Sequence, residues 1–262
     1  MKYKVIGTGS SGNALLLENG VLVDCGVGYK ELAGEVIGLV LLTHRHSDHF
    51  KIPTIKKLAQ DHPMVRFACP GYLAEDLVKE CKVQTKRVDI IEEGQTYDYG
   101  LASIRSFPLE HDVPNVGWII EINSESVLYM TDTGTTDHLT GSEFCGLDYY
   151  FIEANYDEQE LEERMRKKFE AGEFAYESRV KRTHLSRQQA DEFVSFYARD
   201  DSKVINLHRH EEKKEKKVHE EADPPSLMGL LHPVDIKEET YQSGEDERIR
   251  KDTQTDSEVG MV

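Results

Sequence analysis

Residues 43–50 read THRHSDHF and follow directly on the apolar run Leu39-Val40-Leu41-Leu42. Three histidines and an aspartate fall between His44 and His49, just past a segment with the length and composition of a buried strand. His44 and His46 stand two apart and can point the same way, while Asp48 and His49 can fold round from the other side. Imidazole nitrogens suit zinc and similar ions, and a carboxylate adds compensating charge. A polar turn capping a helix expected from Ile52 would account for Ser47 or Asp48. It gives no reason for three histidines.

Ligands on one loop are normally completed from elsewhere, and the candidates lie at the ends of later strand-like segments. SFPLEHD places His111 after Ser103–Phe107, VLYMTDTG places Asp132 before a glycine turn, and VINLHRH ends an apolar strand at His208. Each has a plain alternative: a surface histidine beside Pro108, a turn-forming aspartate, or His210 in place of His208. We prefer His208 because it comes directly off the apolar strand.

The 262-residue chain carries 32 Lys+Arg against 49 Asp+Glu, a net charge of −17. A surface this negative disfavours long, tightly held nucleic acid unless a local basic stripe offsets it. The four cysteines (Cys25, Cys69, Cys81 and Cys145) form no CxxC pair, which fits a reducing compartment. No signal-peptide pattern and no apolar run of membrane-spanning length is visible, so a cytoplasmic protein without a membrane partner is expected.

Eleven strand-like segments alternate with helical ones over residues 1–210. The helical patterns lie at about Ile52–Gln60, Leu73–Cys81, Asp157–Ala171 and Ser186–Ala198. Early strands come in hairpin-like pairs, with ENGV as a tight turn, so a simple parallel βαβ series is excluded. The expected fold is α/β, with two mixed sheets and helices on the outer faces. Residues 211–262 are charged and poor in apolar residues; they read as a disordered or weakly helical C-terminal tail, with SLMGLLHPV a candidate short anchor.

His44, His46, Asp48 and His49, followed by His111, Asp132 and a late His208, resemble the metallo-β-lactamase superfamily in order and type. The resemblance covers nearly all of residues 1–210. It implies an αββα sandwich with two metals at one sheet edge, zinc being the default and manganese the alternative. By that resemblance His44, His46 and His111 hold the first ion, Asp48, His49 and His208 the second, and Asp132 bridges. It also implies hydrolysis by a metal-activated hydroxide, with Asp48 counted among the catalytic residues.

No signal peptide and no cysteine at a matching ligand position argue against the exported β-lactamases. GTGSSGNALLLENGVLVDCG resembles the opening of the phosphodiesterase and nuclease branch that includes WalJ/YycJ-like proteins. FIEANYD, with the later RVKRTHLSRQQA, is similar to a further part of that branch. In RNase Z relatives a histidine in a like setting is a catalytic acid supported by a glutamate, which here would be His184 and Glu153. Ser11 and Asn13 of the glycine-serine loop are candidate substrate contacts, although GTGSSGN also reads as a hairpin turn. Ser186 and Gln189 have capping-box spacing, and a helix N-terminus favours an anion.

A phosphodiester is the expected substrate. RMRKKF, the one basic patch noticed, has Glu160, Glu162 and Glu163 as near neighbours and reads as a solvated, salt-bridged helix. The compact chain is similar to the phage anti-Pycsar enzymes, which cleave cyclic pyrimidine mononucleotides to counter host antiviral signalling and act as homodimers. Cyclic CMP or UMP is therefore the leading expectation, with a WalJ/YycJ-like exonuclease as the alternative. A non-catalytic, metal-stabilised interaction protein is the reading from another class. Trp118 and Phe50 could stack on a base or simply fill the core.

Overall fold

The computed structural model describes residues 1–173 and 176–208. The proposed tail, its SLMGLLHPV segment and the alternative ligand His210 lie outside the described residues.

Two six-stranded mixed sheets organise the described chain. The first runs in sequence order: β1 (Tyr3–Gly7), β2 (Ala14–Leu17), β3 (Val21–Val23), β4 (Leu39–Leu41), β5 (Arg66–Cys69) and β6 (Val88–Ile90). The second holds β7 (Thr96–Asp98), β8 (Ser103–Leu109), β9 (Asn115–Ile122), β10 (Glu125–Met130), β11 (Tyr149–Glu153) and β12 (Lys203–Leu207). Helices α1 (Tyr29–Leu32), α2 (Ile52–Asp61) and α3 (Gly71–Lys79) come from the first half of the chain. Helices α4 (Glu158–Glu170), α5 (Glu177–Thr183) and α6 (Arg187–Tyr197) come from the second.

Strand alternation explains the layering, because successive side chains point to opposite faces. In β3, Val21 and Val23 enter the core between the sheets, whereas Leu22 enters the core shared with α2 and α3. In β10 and β11, Val127, Tyr129, Tyr149 and Phe151 face the inter-sheet core, while Leu128, Met130, Tyr150 and Ile152 face the core beneath α6. Strands covered on both faces read as continuous apolar runs, which is why Leu39–Leu42 shows no polar alternation. Three buried clusters separate four layers, and helices cover both outer faces as expected. Trp118 and Phe50 lie inside these cores, so neither offers a free ring to a base.

Asn19 and Gly20, both with positive φ (60° and 75°), close the β2–β3 hairpin as ENGV foretold. The expected capping box is present: Gln189 N donates to Ser186 Oγ at 3.0 Å, and Ser186 N to Gln189 Oε1 at 2.9 Å. Three elements were not anticipated. β7 has only three residues, and α1 and α5 are too short or too charged to show an apolar period. No helix among the described residues is long and apolar enough to cross a membrane. All four cysteines are free, and only Cys145 is exposed.

Candidate metal centre

Topology brings the ligand candidates to one edge. β3 and β4 are parallel, so Asp24 and the loop from Thr43 leave the first sheet at the same end. β10, β11 and β12 are mutually parallel, and β8 reaches the same direction through two antiparallel steps. His111, Asp132 and His208 therefore lie just beyond carboxyl ends of strands and Glu153 at one, where α/β sheets commonly bind ligands.

The loop of residues 43–50 is held by its backbone. Asn13 N donates to Asp48 O at 2.6 Å, and Cys25 N to His49 O at 2.8 Å. Gly26 is required there, since a Cβ on it would stand 1.7 Å from Asp48 O.

Three sets of side chains converge, each with ligand atoms within 4.8 Å of one another: His44, His46 and His111; His44, His49 and Asp132; and Asp132, Glu153, His184 and His208. In the first, the three rings lie 4.9, 5.0 and 5.3 Å apart, centroid to centroid, as if around a shared point. His111 Nδ1 is 2.8 Å from the Thr183 carbonyl, which can only accept; Nδ1 thus carries the proton and Nε2 faces the centre. Burial, then the neighbouring His49, holds His44 well below the usual imidazole pKa. It is neutral, and its Nε2, buried without a hydrogen-bond partner, offers a lone pair to the centre.

The other half of the centre is carboxylate-rich. Asp132 is 2% exposed. Its Oδ2 lies 2.8 Å from His49 Nε2, and its Oδ1 lies 3.1 Å from His208 Nδ1 and 3.2 Å from His184 Nδ1. Burial pushes the Asp132 carboxyl upward, but the charges of His49 and His208 outweigh it and hold it well below the usual range. Asp132 Oδ2 and His208 Nδ1, although close to these partners, make no hydrogen bond of acceptable geometry. Buried polar atoms without satisfied hydrogen bonds, aimed at a common space and drawn from His and Asp, fit a divalent cation.

Glu153 has a different position. It is fully buried, and Oε2 accepts from Asp132 N (2.9 Å), Thr133 N (3.3 Å) and Leu185 N (3.3 Å). Oε1 lies 2.6 Å from His184 Nδ1 and accepts from Asn155 Nδ2 at 3.3 Å. With both oxygens engaged, Glu153 is better suited to orienting His184 than to ligating. Burial pushes the His184 imidazole down, but hydrogen bonds to Asp132 and Glu153 prevail and raise it to about 10.

The remaining candidates sit less centrally. Asp48 Oδ2 is 3.9 Å from His49 Nε2, and Asp48 belongs to none of the three sets. Asn13 is buried and spent on its surroundings: Nδ2 donates to Gly9 O and Asp48 O at 3.2 Å and lies 2.7 Å from His49 Nε2. Its evident role is to join the glycine-serine loop to the histidine loop. Ser11 is exposed on that loop.

Sequence reasoning missed two carboxylates. Asp24 accepts from Thr43 N and Oγ1 (3.0 and 2.9 Å), from Tyr129 Oη (3.1 Å), and from His49 Nδ1 (2.6 Å), which turns His49 Nε2 toward the centre. VLVDCG has the same strand–Asp–x–Gly form as YMTDTG, so that signal was available. Asp112 Oδ1 lies 3.3 and 3.2 Å from Nε2 of His46 and His111, and its other oxygen pairs with Arg179. Nothing in its sequence setting marks it.

The chain is 31% identical over 171 residues to exodeoxyribonuclease WalJ of Streptococcus pneumoniae, covering 60% of this chain and 63% of that protein. It is 25% identical over 174 residues to exodeoxyribonuclease YycJ of Bacillus anthracis, covering 62% and 65%. The matched part thus spans just under two thirds of either relative. Among solved structures, human tRNase Z, short form, superposes with a TM-score of 0.60 at 16% identity, covering 80% of this chain and 92% of that one. Residues 19–199 match the model of the beta-lactamase superfamily domain, and the chain belongs to that superfamily.

Proposed function

We propose that this protein is a metal-dependent phosphodiesterase acting on nucleic acid, with two divalent ions, zinc by preference and manganese as the alternative. The observation that carries the reading is the His184–Glu153 pair, 2.6 Å apart, beside the histidine–aspartate centre. His44, His46 and His111 would hold one ion and His49 and His208 the other, with Asp132 serving both and Asp48, next to His49, assisting the second. Bound there, the ions would supply a water that ionises near neutral pH and positive charge for the phosphoryl oxygens. In the hydrolysis a water oxygen bonds to phosphorus as the bond to the leaving oxygen breaks. His184 uses Nδ1 to hold Glu153, so Nε2 is the atom that delivers a proton to that leaving oxygen. Glu153 fixes the ring and, through Asp132 N, the adjoining ligand turn.

The relatives named as exodeoxyribonucleases support a DNA substrate. A second reading, a cyclic mononucleotide such as cyclic CMP or UMP, is favoured by the −17 charge, since a small ester needs no basic track. The chain would then serve removal of an antiviral signal, as a homodimer if it follows the anti-Pycsar pattern. Incubating the zinc- or manganese-loaded protein with single-stranded DNA, cyclic CMP, cyclic UMP and cyclic AMP tests both, with His46→Ala as the control. Shortened DNA with intact cyclic nucleotides is the expected result. Ring opening with DNA untouched would reverse the order of the two readings, and no hydrolysis of any substrate would dispose of both.

A further inference from the structure

We infer that Arg182, with Arg179 beside it, forms an anion subsite that takes the phosphate next to the scissile one along a nucleic-acid strand. A cavity of about 270 Å³ opens beside the centre, lined by His111, Asp112, Arg179, Arg182 and Thr183. It borders the three-histidine set through His111 and includes neither Asp132 nor His208. A phosphate there would neighbour the reacting group without being it.

The base of this subsite is rigid. Gly134, on the Asp132 turn, packs so tightly that a Cβ would stand 2.1 Å from Arg182 O. One residue on, the Thr183 carbonyl holds His111. The Arg182 backbone is therefore clamped between two ligand-bearing turns while its side chain is exposed. A guanidinium on a fixed base suits phosphate, because its planar fork can give two parallel hydrogen bonds.

Charge pairing separates Arg182 from its neighbours. On the same helical arm Arg166 pairs with Glu170, Lys167 with Glu163 and Lys181 with Glu162. Arg179 is held by Asp112. Arg182 has no acidic partner among the described residues, in a chain where acids outnumber bases. A cation at a helix C-terminus is favourable in itself, but that does not account for its place on a cavity shared with His111. Residues 158–187 contain eight Lys+Arg and seven Asp+Glu, against the acidic excess of the whole chain. Tyr176 adds an exposed ring with the Arg179 guanidinium 6.0 Å from its centroid, a pairing on which an unpaired base can stack.

The subsite rests on the phosphodiesterase reading and narrows it to strands with more than one phosphate, since a cyclic mononucleotide cannot fill both positions. The test compares kcat/KM on the dinucleotide TpT and on an eight-nucleotide oligothymidylate for the metal-loaded wild type and Arg182→Gln. Arg166→Gln, which removes a paired charge elsewhere on the arm, is the control. The wild type is expected to favour the longer strand, Arg182→Gln to lose about 10-fold of that preference, and Arg166→Gln to keep it. In parallel, binding of a fluorescent, cleavage-resistant phosphorothioate strand is followed against salt; Arg182→Gln should lower the slope of log K on log salt by about 0.7. An unchanged preference and slope in Arg182→Gln, or no length preference in the wild type, overturns the subsite and leaves the phosphodiesterase reading standing. A wild type inert on every ester overturns that reading instead, and the salt slope then judges the subsite alone.

Discussion

Asp24-Cys25-Gly26 and Asp132-Thr133-Gly134 are the same local device used twice. Each follows an apolar strand from an antiparallel hairpin, and each aspartate has a positive φ, 60° and 59°. Each glycine lets another backbone approach closer than a Cβ would allow. Both carboxylates are buried, and a buried charge must be compensated. The compensation differs. Asp24 faces donors that are permanent parts of the fold: a backbone amide, two hydroxyls and the outer nitrogen of His49. Asp132 faces three imidazoles and retains an oxygen without a hydrogen bond. A strand–Asp–x–Gly turn therefore supplies a fixed carboxylate, and the partners brought by the rest of the chain decide whether it braces a neighbouring histidine or faces the candidate centre.

The largest effect should come from Asp132→Asn, which keeps the shape and tolerates the left-handed backbone. Hydrolysis should fall by about 10³-fold, the upper end of the range seen when a transition-state electrostatic contact is lost, and elemental analysis should show less bound metal. Normal metal content and rate would make Asp132 a second Asp24 and end the assignment of a shared ligand. Next in size, His184→Gln should slow turnover by about 10²-fold, the lower end for loss of a general acid, while the protein keeps its metal; parallel loss of metal would place His184 among the ligands. Asp24→Asn should weaken metal binding by about 10–100-fold, measured by chelator competition, with activity restored at high metal concentration. If added metal fails to restore it, Asp24 does more than orient His49. The smallest effects should follow Gly26→Ala and Gly134→Ala, each destabilising by about 1–3 kcal/mol through overpacking. Thermal melts would rank the two turns, and a melting point equal to wild type in either would mean the close approach can relax freely.

Much of the architecture was legible because it follows from local rules. β-branched and aromatic runs bounded by turn residues marked eleven of the twelve strands, and the Ser186–Gln189 spacing marked the start of α6. β7 was not legible, since Thr96–Asp98 is too short to display a period and exists by pairing with β8. Nor was α5: Glu177–Thr183 is dominated by charged and polar residues, and its place depends on contact with α4 and on the Thr183–His111 hydrogen bond. In the centre, the histidine loop could be read from its own spacing. The support by Asp24 could have been suspected from its turn, but the contacts of Asp112 and Arg182 could not.

What is local can be read from the chain: the apolar strand that runs up to Thr43, the crowding of His44, His46, Asp48 and His49 behind it, and the aspartate–glycine turns. Folding sets the rest: which distant groups complete each set, the burial of Glu153 against His184, the tie that Asn13 makes between two loops, and the place of Arg182 on the cavity beside His111. The physical reason is range. Backbone periodicity and turn chemistry act over a few residues, whereas the partners of a buried charge are fixed by sheet register and packing between residues far apart in the chain.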